Sequence, residues 1–362
     1  MLSKSTKIYV AGHTGLVGSA IWRSLQKYGF TNLIGRTHQE LDLLDPNAVS
    51  MFFDDVQPDV VVLAAAHVGG IMANLHYRAD FIYQNLQIQQ NVIGEAFRHS
   101  VKKLLFLGST CIYPRNATQP IKEDALLTSE FEYTNEPYAI AKIAGLKLCE
   151  SFNLQYGTNY IAVMPTNLYG PNDNFHLEHS HVLPAMMRKL YLAKCLENDD
   201  IESVRKDLTA RPIEGVCATD SFSAITSALQ NYGISSKRVT LWGTGAPRRE
   251  FLWSEDLADA CVHVLLNVDF KDVCDKQNAE IRNCHINIGT GIEISLCDLA
   301  EKIKKLIGFT GELCWDATKP DGVMRKCTDV SKIHNLGWHH TIDIDEGISR
   351  LYSWYKSSIL SY

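Results

Sequence analysis

Nowhere in the 362 residues is there a run of about 18 apolar side chains, the length a helix needs to cross a bilayer. The opening residues, Met-Leu-Ser-Lys-Ser-Thr-Lys, also lack the apolar core of a signal peptide. Both absences point to a cytoplasmic chain with no membrane partner. Basic charge is not in excess either: 35 Lys and Arg stand against 41 Asp and Glu, a net charge of -6, whereas a nucleic-acid binder would show a basic stripe. The ten cysteines are scattered singly, from Cys111 and Cys149 onward, without a Cys-x-x-Cys pair, which argues against a disulfide framework. His176, His179 and His181 cluster without a matching cysteine or acidic pattern, so no metal site is expected. Internal repeats and low-complexity stretches are missing. What remains is a 46% hydrophobic, 21% charged chain of ordinary globular composition, long enough for two domains or one large domain with a lobe.

The N-terminal half alternates apolar runs with helical patterns. Lys7 to Ala11 reads as a strand, and Gly12-His13-Thr14-Gly15-Leu16-Val17-Gly18 follows it directly into a helical pattern. Such glycines permit a tight turn and close approach of the backbone to a pyrophosphate, and the helix start offers unpaired N–H groups to the anion. A second strand, Asn32 to Gly35, ends at Arg36, about 20 residues on, where NAD-binding folds carry an acidic residue for the ribose 2'-hydroxyl. An arginine suits a 2'-phosphate; the plainer reading is a solvated charge at a strand end. Asp42 and Leu43 offer a carboxylate and an apolar wall for an adenine. Val60 to Ala66 reads as a buried strand whose Ala64, Ala65 and Ala66 would run under a cofactor. His67 to Gly70 then reads as a flexible loop, and Asp80 to Ser100 as a helix. These alternations predict an α/β fold of Rossmann type, a doubly wound parallel sheet with helices on both faces.

The strand Lys103 to Leu107 delivers Ser109 at its carboxyl end, where open parallel sheets place ligands. A loop later, Tyr138 and Lys142 stand one helical turn apart on one face. An ammonium beside a phenol is expected to pull the tyrosine pKa below about 10 and make it a proton donor near neutrality. The spacing alone is weak, since Tyr352 and Lys356 repeat it without a preceding strand and serine. Tyr160 to Met164 is the next strand. After Gly170 the pattern shifts to loops and shorter elements, so we place a boundary there: residues 1–170 as the cofactor-binding domain, 171–362 as a smaller C-terminal α/β substrate domain. Segments near 252–266 and 285–290 are expected to rejoin the first sheet. A stretch at about 194–238 reads as an inserted lobe without a motif, and Lys319 to Lys326 as a basic turn.

The combination of Gly12-x-x-Gly-x-x-Gly18, Ser109 and Tyr138-x-x-x-Lys142 resembles the extended short-chain dehydrogenase/reductase superfamily. Longer strings are more specific. Gly108-Ser-Thr-Cys-Ile-Tyr-Pro114, Asn135-Glu-Pro-Tyr-Ala-Ile-Ala-Lys-Ile-Ala-Gly145, Met164-Pro-Thr-Asn-Leu-Tyr-Gly-Pro171, Ser180-His-Val-x-Pro184 and Lys319-Pro-Asp-Gly322 resemble the GDP-L-fucose synthase family over almost the whole chain except 194–238. The resemblance implies that Ser109 and Tyr138 bond the C4 ketone of a GDP-sugar, that Tyr138 gives the proton, and that Lys142 tunes it and holds the nicotinamide ribose. Hydride would come from NADPH. The cofactor would lie along Gly12, Thr14, Gly15, Leu16, Val17 and Gly18, against Arg36, Asp42 and Leu43, over Ala64 to Ala66, and beside Pro165, Asn167, Leu168 and His181.

By the same resemblance Cys111 and His181 act as base and acid in epimerising C3 and C5, whose protons the ketone acidifies. Cys111 as a small buried residue and His181 as a helix cap are the plain alternatives. The nucleotide of the substrate would meet Asn167, Lys189, Trp242, Arg249 and Lys319, a cationic pocket with an aromatic wall; surface charges and a core tryptophan are the plain reading. The family's habit implies a homodimer packed through the helices after Asp80 and at Tyr138 in a four-helix arrangement.

Two departures stand out. Thr14 replaces an arginine common in the family's glycine loop, leaving Arg36 to select NADPH. The 194–238 insertion joins two elements of the substrate site, and suits a different sugar such as a GDP-4-keto-heptose of a capsule or lipopolysaccharide pathway. Some relatives only reduce C4, so a reductase without epimerase activity is the second reading. Dehydratases of this fold carry an Asp-Glu pair where Cys111-Ile112 stands, and a non-catalytic cofactor-binding regulator would often lose the tyrosine or lysine.

Overall fold

The first strand, β1 (Ile8–Ala11), is wholly buried because it lies inside a sheet covered on both faces. A computed structural model describes residues 2–274 and 280–360. In chain order α1 (Leu16–Lys27), β2 (Leu33–Ile34), α2 (Pro46–Val56), β3 (Val60–Leu63), α3 (Ile71–His76), α4 (Arg78–Arg98), β4 (Lys103–Leu107), α5 (Glu136–Tyr156) and β5 (Tyr160–Pro165) follow it. β6 (Asn167–Tyr169), α6 (Val182–Glu197), α7 (Ile201–Ala210), α8 (Phe222–Asn231), β7 (Arg238–Trp242), β8 (Arg248–Trp253), α9 (Ser254–Asn267) and α10 (Phe270–Val273) come next. The rest are β9 (Ile286–Ile288), β10 (Glu293–Ser295), α11 (Leu296–Ile307), β11 (Glu312–Asp316), β12 (Arg325–Lys326), α12 (Ser331–Asn335) and α13 (Ile344–Leu360).

Six strands form one parallel sheet in the order β2-β1-β3-β4-β5-β9. Side chains alternate between its faces with the period of a strand. Ile8, Val10, Val60, Val62, Leu105 and Leu107 meet α1 and α9 on one side. Tyr9, Ala11, Val61, Leu63, Leu104 and Phe106 meet α2, α4 and α5 on the other. Full burial of each such aliphatic contributes about 1.5–3 kcal/mol, so both layers are held firmly. Helix α5 approaches the sheet closely at Gly145, where a Cβ would lie 2.5 Å from Phe106 and 2.6 Å from the Gln89 amide oxygen. That close approach sets Lys142 over the end of β4.

A second cluster joins α6, α7, α8, α11 and α13 with the parallel pair β7 and β11. The inserted stretch is part of it: Val204, Leu208, Ile225, Leu229 and Ile234 are buried there. Asp207 of α7 bolts it down. Its Oδ2 accepts from Arg188 Nε (2.9 Å) and Nη2 (2.8 Å), and Tyr355 of α13 donates to Oδ1, all three side chains being essentially sealed from water. A small third sheet, β10-β8-β12 with β6 against β8, sits between the two clusters.

Several expectations change. The expected shift to shorter elements fails, because α6 and α13 are 16 and 17 residues long. The strand after Val60 ends at Leu63, since the three alanines leave the ladder at the sheet edge. The His67 loop is pinned rather than flexible: Asn85 accepts the His67 N–H (3.0 Å) and donates to its carbonyl (2.9 Å). Arg325 and Lys326 form β12, paired in parallel with β8, not a turn.

Candidate active site

The glycine turn forms a backbone cradle. Gly12 takes φ +82°, open to glycine at little cost, and a Cβ there would meet the Ala65 nitrogen at 2.8 Å. At Gly18 a Cβ would meet the Gly12 carbonyl at 2.0 Å. Gly15 caps α1 without a side chain, so the first-turn N–H groups of Leu16, Val17 and Gly18 have no intrahelical acceptor and face outward as anion donors. Thr14 is exposed beside them. Arg36 follows β2, exposed, with its guanidinium 5.7 Å from the Phe52 ring centroid and bonded to the Gly35 carbonyl at 2.9 Å. The Asp42 carboxylate accepts the Leu44 N–H at 2.9 Å, shaping the loop that presents half-buried Leu43. Ala64, Ala65 and Ala66 are half-buried at the same sheet edge, Ala64 donating to the Ala11 carbonyl. These residues fit a dinucleotide: at Gly12 and Gly18 a Cβ would collide with backbone, and the open helix start offers N–H donors.

Along the sheet edge β4 ends at Leu107, and Ser109 turns the chain, its Oγ accepting the Cys111 N–H at 3.2 Å. Helix α5 opens on Glu136 and Pro137, so Tyr138 lies in its first turn, edge-on to Phe81 at 6.2 Å. Lys142 is buried, donates to the Leu107 carbonyl at 2.8 Å, and stands 5.8 Å from the Tyr138 ring centroid. The expected tuning of the pair is not what the chain by itself provides. Burial pushes the Tyr138 phenol up, with the Cys111 sulfur adding to it, and burial lowers Lys142 to about 7. Desolvation opposes both charged forms.

Cys111 is half-buried in the short turn after Ser109, and its Sγ accepts from Lys326 Nζ at 3.5 Å. His181 occupies the N-cap position of α6, yet its ring makes no capping bond and stays free toward the cleft. The residue is exposed; desolvation, then the Lys326 charge, lowers its pKa. A row of basic and aromatic groups continues outward. Arg249 bonds the Asp321 carbonyl at 3.2 Å, and the Asp321 carboxylate ties down Thr244. Lys319 lies 5.1 Å from the Trp242 ring centroid. Lys189 is buried behind them, bonded to the carbonyls of Tyr232 (2.7 Å) and Thr240 (3.3 Å), and lowered to about 8 by burial. Asn167 donates to the Glu250 carbonyl at 2.8 Å, after Pro165 and before Leu168 in the chain crossing from β5 to β6.

Sequence reasoning missed Lys326 and Glu250. The fully buried Glu250 carboxylate accepts from the Thr290, Gly291 and Thr328 N–H groups and the Thr328 hydroxyl, fastening β8 to β12. Neither residue has a local signal; only the pairing of strands distant in sequence reveals them. Among the described residues no cluster of three or more His, Cys, Asp or Glu could hold a metal.

Comparison with known proteins agrees with this arrangement. The NAD dependent epimerase/dehydratase family matches residues 8–231 and 218–289. GDP-L-fucose synthase 1 of Arabidopsis thaliana is 49% identical over 99% of this chain and 96% of its own. A GDP-6-OMe-4-keto-L-xylo-heptose reductase from C. jejuni is 45% identical with a TM-score of 0.92, covering 98% of this chain and 99% of its own. The GDP-mannoheptose C4 reductase of Campylobacter jejuni, solved with NADP bound, is likewise 45% identical, with a TM-score of 0.86 and coverage of 98% and 100%. A glycine cradle, a serine, tyrosine and lysine at one sheet edge and full-length relatives therefore agree: the chain belongs to the NAD dependent epimerase/dehydratase family, with the GDP-L-fucose synthases and their GDP-heptose reductase kin.

Proposed function

We propose that this protein reduces the C4 ketone of a GDP-4-keto-sugar, a deoxyhexose or a heptose, for surface-polysaccharide sugar biosynthesis. The observation that carries it is the meeting, at one sheet edge, of Ser109, Tyr138 and Lys142 between the glycine cradle and the Arg249, Lys319 and Trp242 row. NADPH, held by Gly12 to Gly18 and by Arg36, supplies the hydride when bound. Ser109 and Tyr138 bond the ketone oxygen, and Tyr138 gives it the proton. A raised phenol pKa keeps that proton in place at neutral pH. Lys142 uses one donor on Leu107 and keeps two, enough for a ribose hydroxyl and the phenol oxygen. Lys189 likewise retains one donor for the diphosphate that Arg249 and Lys319 face.

A preceding step, epimerisation at C3 and C5 while C4 is still a ketone, is favoured by the cationic contact on Cys111 and the uncapped ring of His181. Exposed Tyr83 on α4 with Ile140, Leu154 and Tyr156 on α5 gives the surface for a homodimer through these helices. We place the protein in the cytoplasm, where nucleotide sugars are made.

The test is product analysis by NMR after incubation with NADPH and a panel of GDP-4-keto-hexoses and GDP-4-keto-heptoses. A C4-reduced product is expected from at least one class; none from either overturns the reading. In deuterated water without reduced cofactor, deuterium at C3 or C5 that disappears in Cys111→Ser marks epimerisation, and no incorporation by the wild type leaves a C4 reductase.

A further inference from the structure

Lys326 sits on β12 opposite Arg249 of β8. The chain carrying it is stitched on both sides. Glu250 holds Thr328 by its N–H (2.8 Å) and hydroxyl (2.7 Å). On the other flank Cys327 donates to the Gln119 side chain at 2.8 Å and accepts the Ile121 N–H at 2.8 Å. The backbone of Lys326 is therefore fixed, and its half-buried side chain points to one sulfur, that of Cys111, at 3.5 Å. Its neighbour behaves differently: Arg325 is paired with both oxygens of Glu293 at 2.9 Å. Among the described residues no carboxylate forms an ion pair with Lys326, so the polar atom it meets is the Cys111 thiol.

We propose that Lys326 is a positioning residue for proton transfer at C3 and C5, holding the Cys111 sulfur as the base. The proposal rests on the reading of Cys111 and His181 as the epimerising pair. In the step, the thiolate electron pair forms an S–H bond as the C–H bond beside the ketone breaks. The electrons of that bond pass to the ketone oxygen, where Ser109 and Tyr138 donate. A protonated His181 then returns a proton to the carbon from the opposite face and becomes neutral, and Lys326 keeps its own protons throughout. A cation beside a thiol favours the thiolate. Cys111 is faced by Lys326 from β12, by Arg249 from β8 and by Tyr138 from α5.

The experiment is peptide-resolved alkylation of Cys111 by iodoacetamide, from about pH 6 to about pH 10, in the full chain without GDP-sugar. Lys326→Met is expected to slow labelling near neutrality by roughly tenfold and to move its pH profile up by about one unit, as loss of a neighbouring cation does. Lys326→Arg should stay close to the wild type. A Lys326→Met profile superimposed on the wild type overturns the proposal. If Lys326→Met fails to melt cooperatively, Lys326→Gln, with similar length and polarity but no charge, replaces it and must show the same shift. Because this readout needs no sugar, it is separable from the proposed reaction: a wild type that incorporates no deuterium refutes the epimerase step, while the alkylation profile judges Lys326 alone.

Discussion

In α13 the Lys356 ammonium stands 4.5 Å from the Tyr352 ring centroid; in α5 Lys142 stands 5.8 Å from that of Tyr138. Lys356 is exposed, and Tyr352 packs at the edge of the second cluster, near Tyr191. Lys142 is sealed from water over the last carbonyl of β4, and Tyr138 faces the turn that carries Ser109 and Cys111. Equal spacing on a helix thus yields a solvated pair in one place and, in another, a buried lysine with its tyrosine beside Ser109 and Cys111. The difference lies in which helix end abuts the carboxyl edge of the parallel sheet.

The comparison breaks most sharply at the tyrosines. Tyr138→Phe is expected to lower turnover by about 10²–10⁴-fold, the usual worth of a positioned acid, with NADPH binding retained, while Tyr352→Phe stays within about twofold. NADPH oxidation with a GDP-4-keto-sugar reads both; a Tyr138→Phe enzyme near wild-type rate would refute the assignment.

The role of α13 is tested through its neighbour. Asp207→Ala leaves Arg188 buried without its partner and Tyr355 without its acceptor, and is expected to cost about 3–5 kcal/mol in urea unfolding. A loss below about 1 kcal/mol would mean that the insertion is not fastened by this pair.

The lysines differ in their pH dependence. Burial lowers the folded Lys142 to about 7, against an ordinary value of 10.5. Between those values the unfolded chain binds more protons than the folded one, so stability rises with pH across that window. Lys142→Met should flatten the rise by on the order of a few kcal/mol, and Lys356→Met should leave it within about 0.5 kcal/mol. Unfolding curves at several pH values, with the wild type as reference, decide.

Much of the first sheet was legible because its strands are short, largely apolar and mostly separated by helical periods, a pattern that sterics and burial enforce locally. The glycine cradle was legible for a similar reason, since Gly12 and Gly18 occupy places where a Cβ collides with backbone. The insertion was not. Helices α7 and α8 are short, and their apolar residues acquire a partner only when α6, α11 and α13 surround them. Charge states were equally hidden: the expectation for Tyr138 counted the neighbouring ammonium but not the loss of water around both groups.

The sequence by itself determined the parallel sheet, the anion cradle and the one-turn spacing of Tyr138 and Lys142, because each depends on residues near one another in the chain. Only the tertiary structure decided how deeply Lys142 is buried, and which side chains stand beside Cys111. Lys326 lies 215 residues from that cysteine and reaches it through the pairing of β12 with β8. A contact of that kind depends on how distant strands align, and no local pattern in the sequence records it.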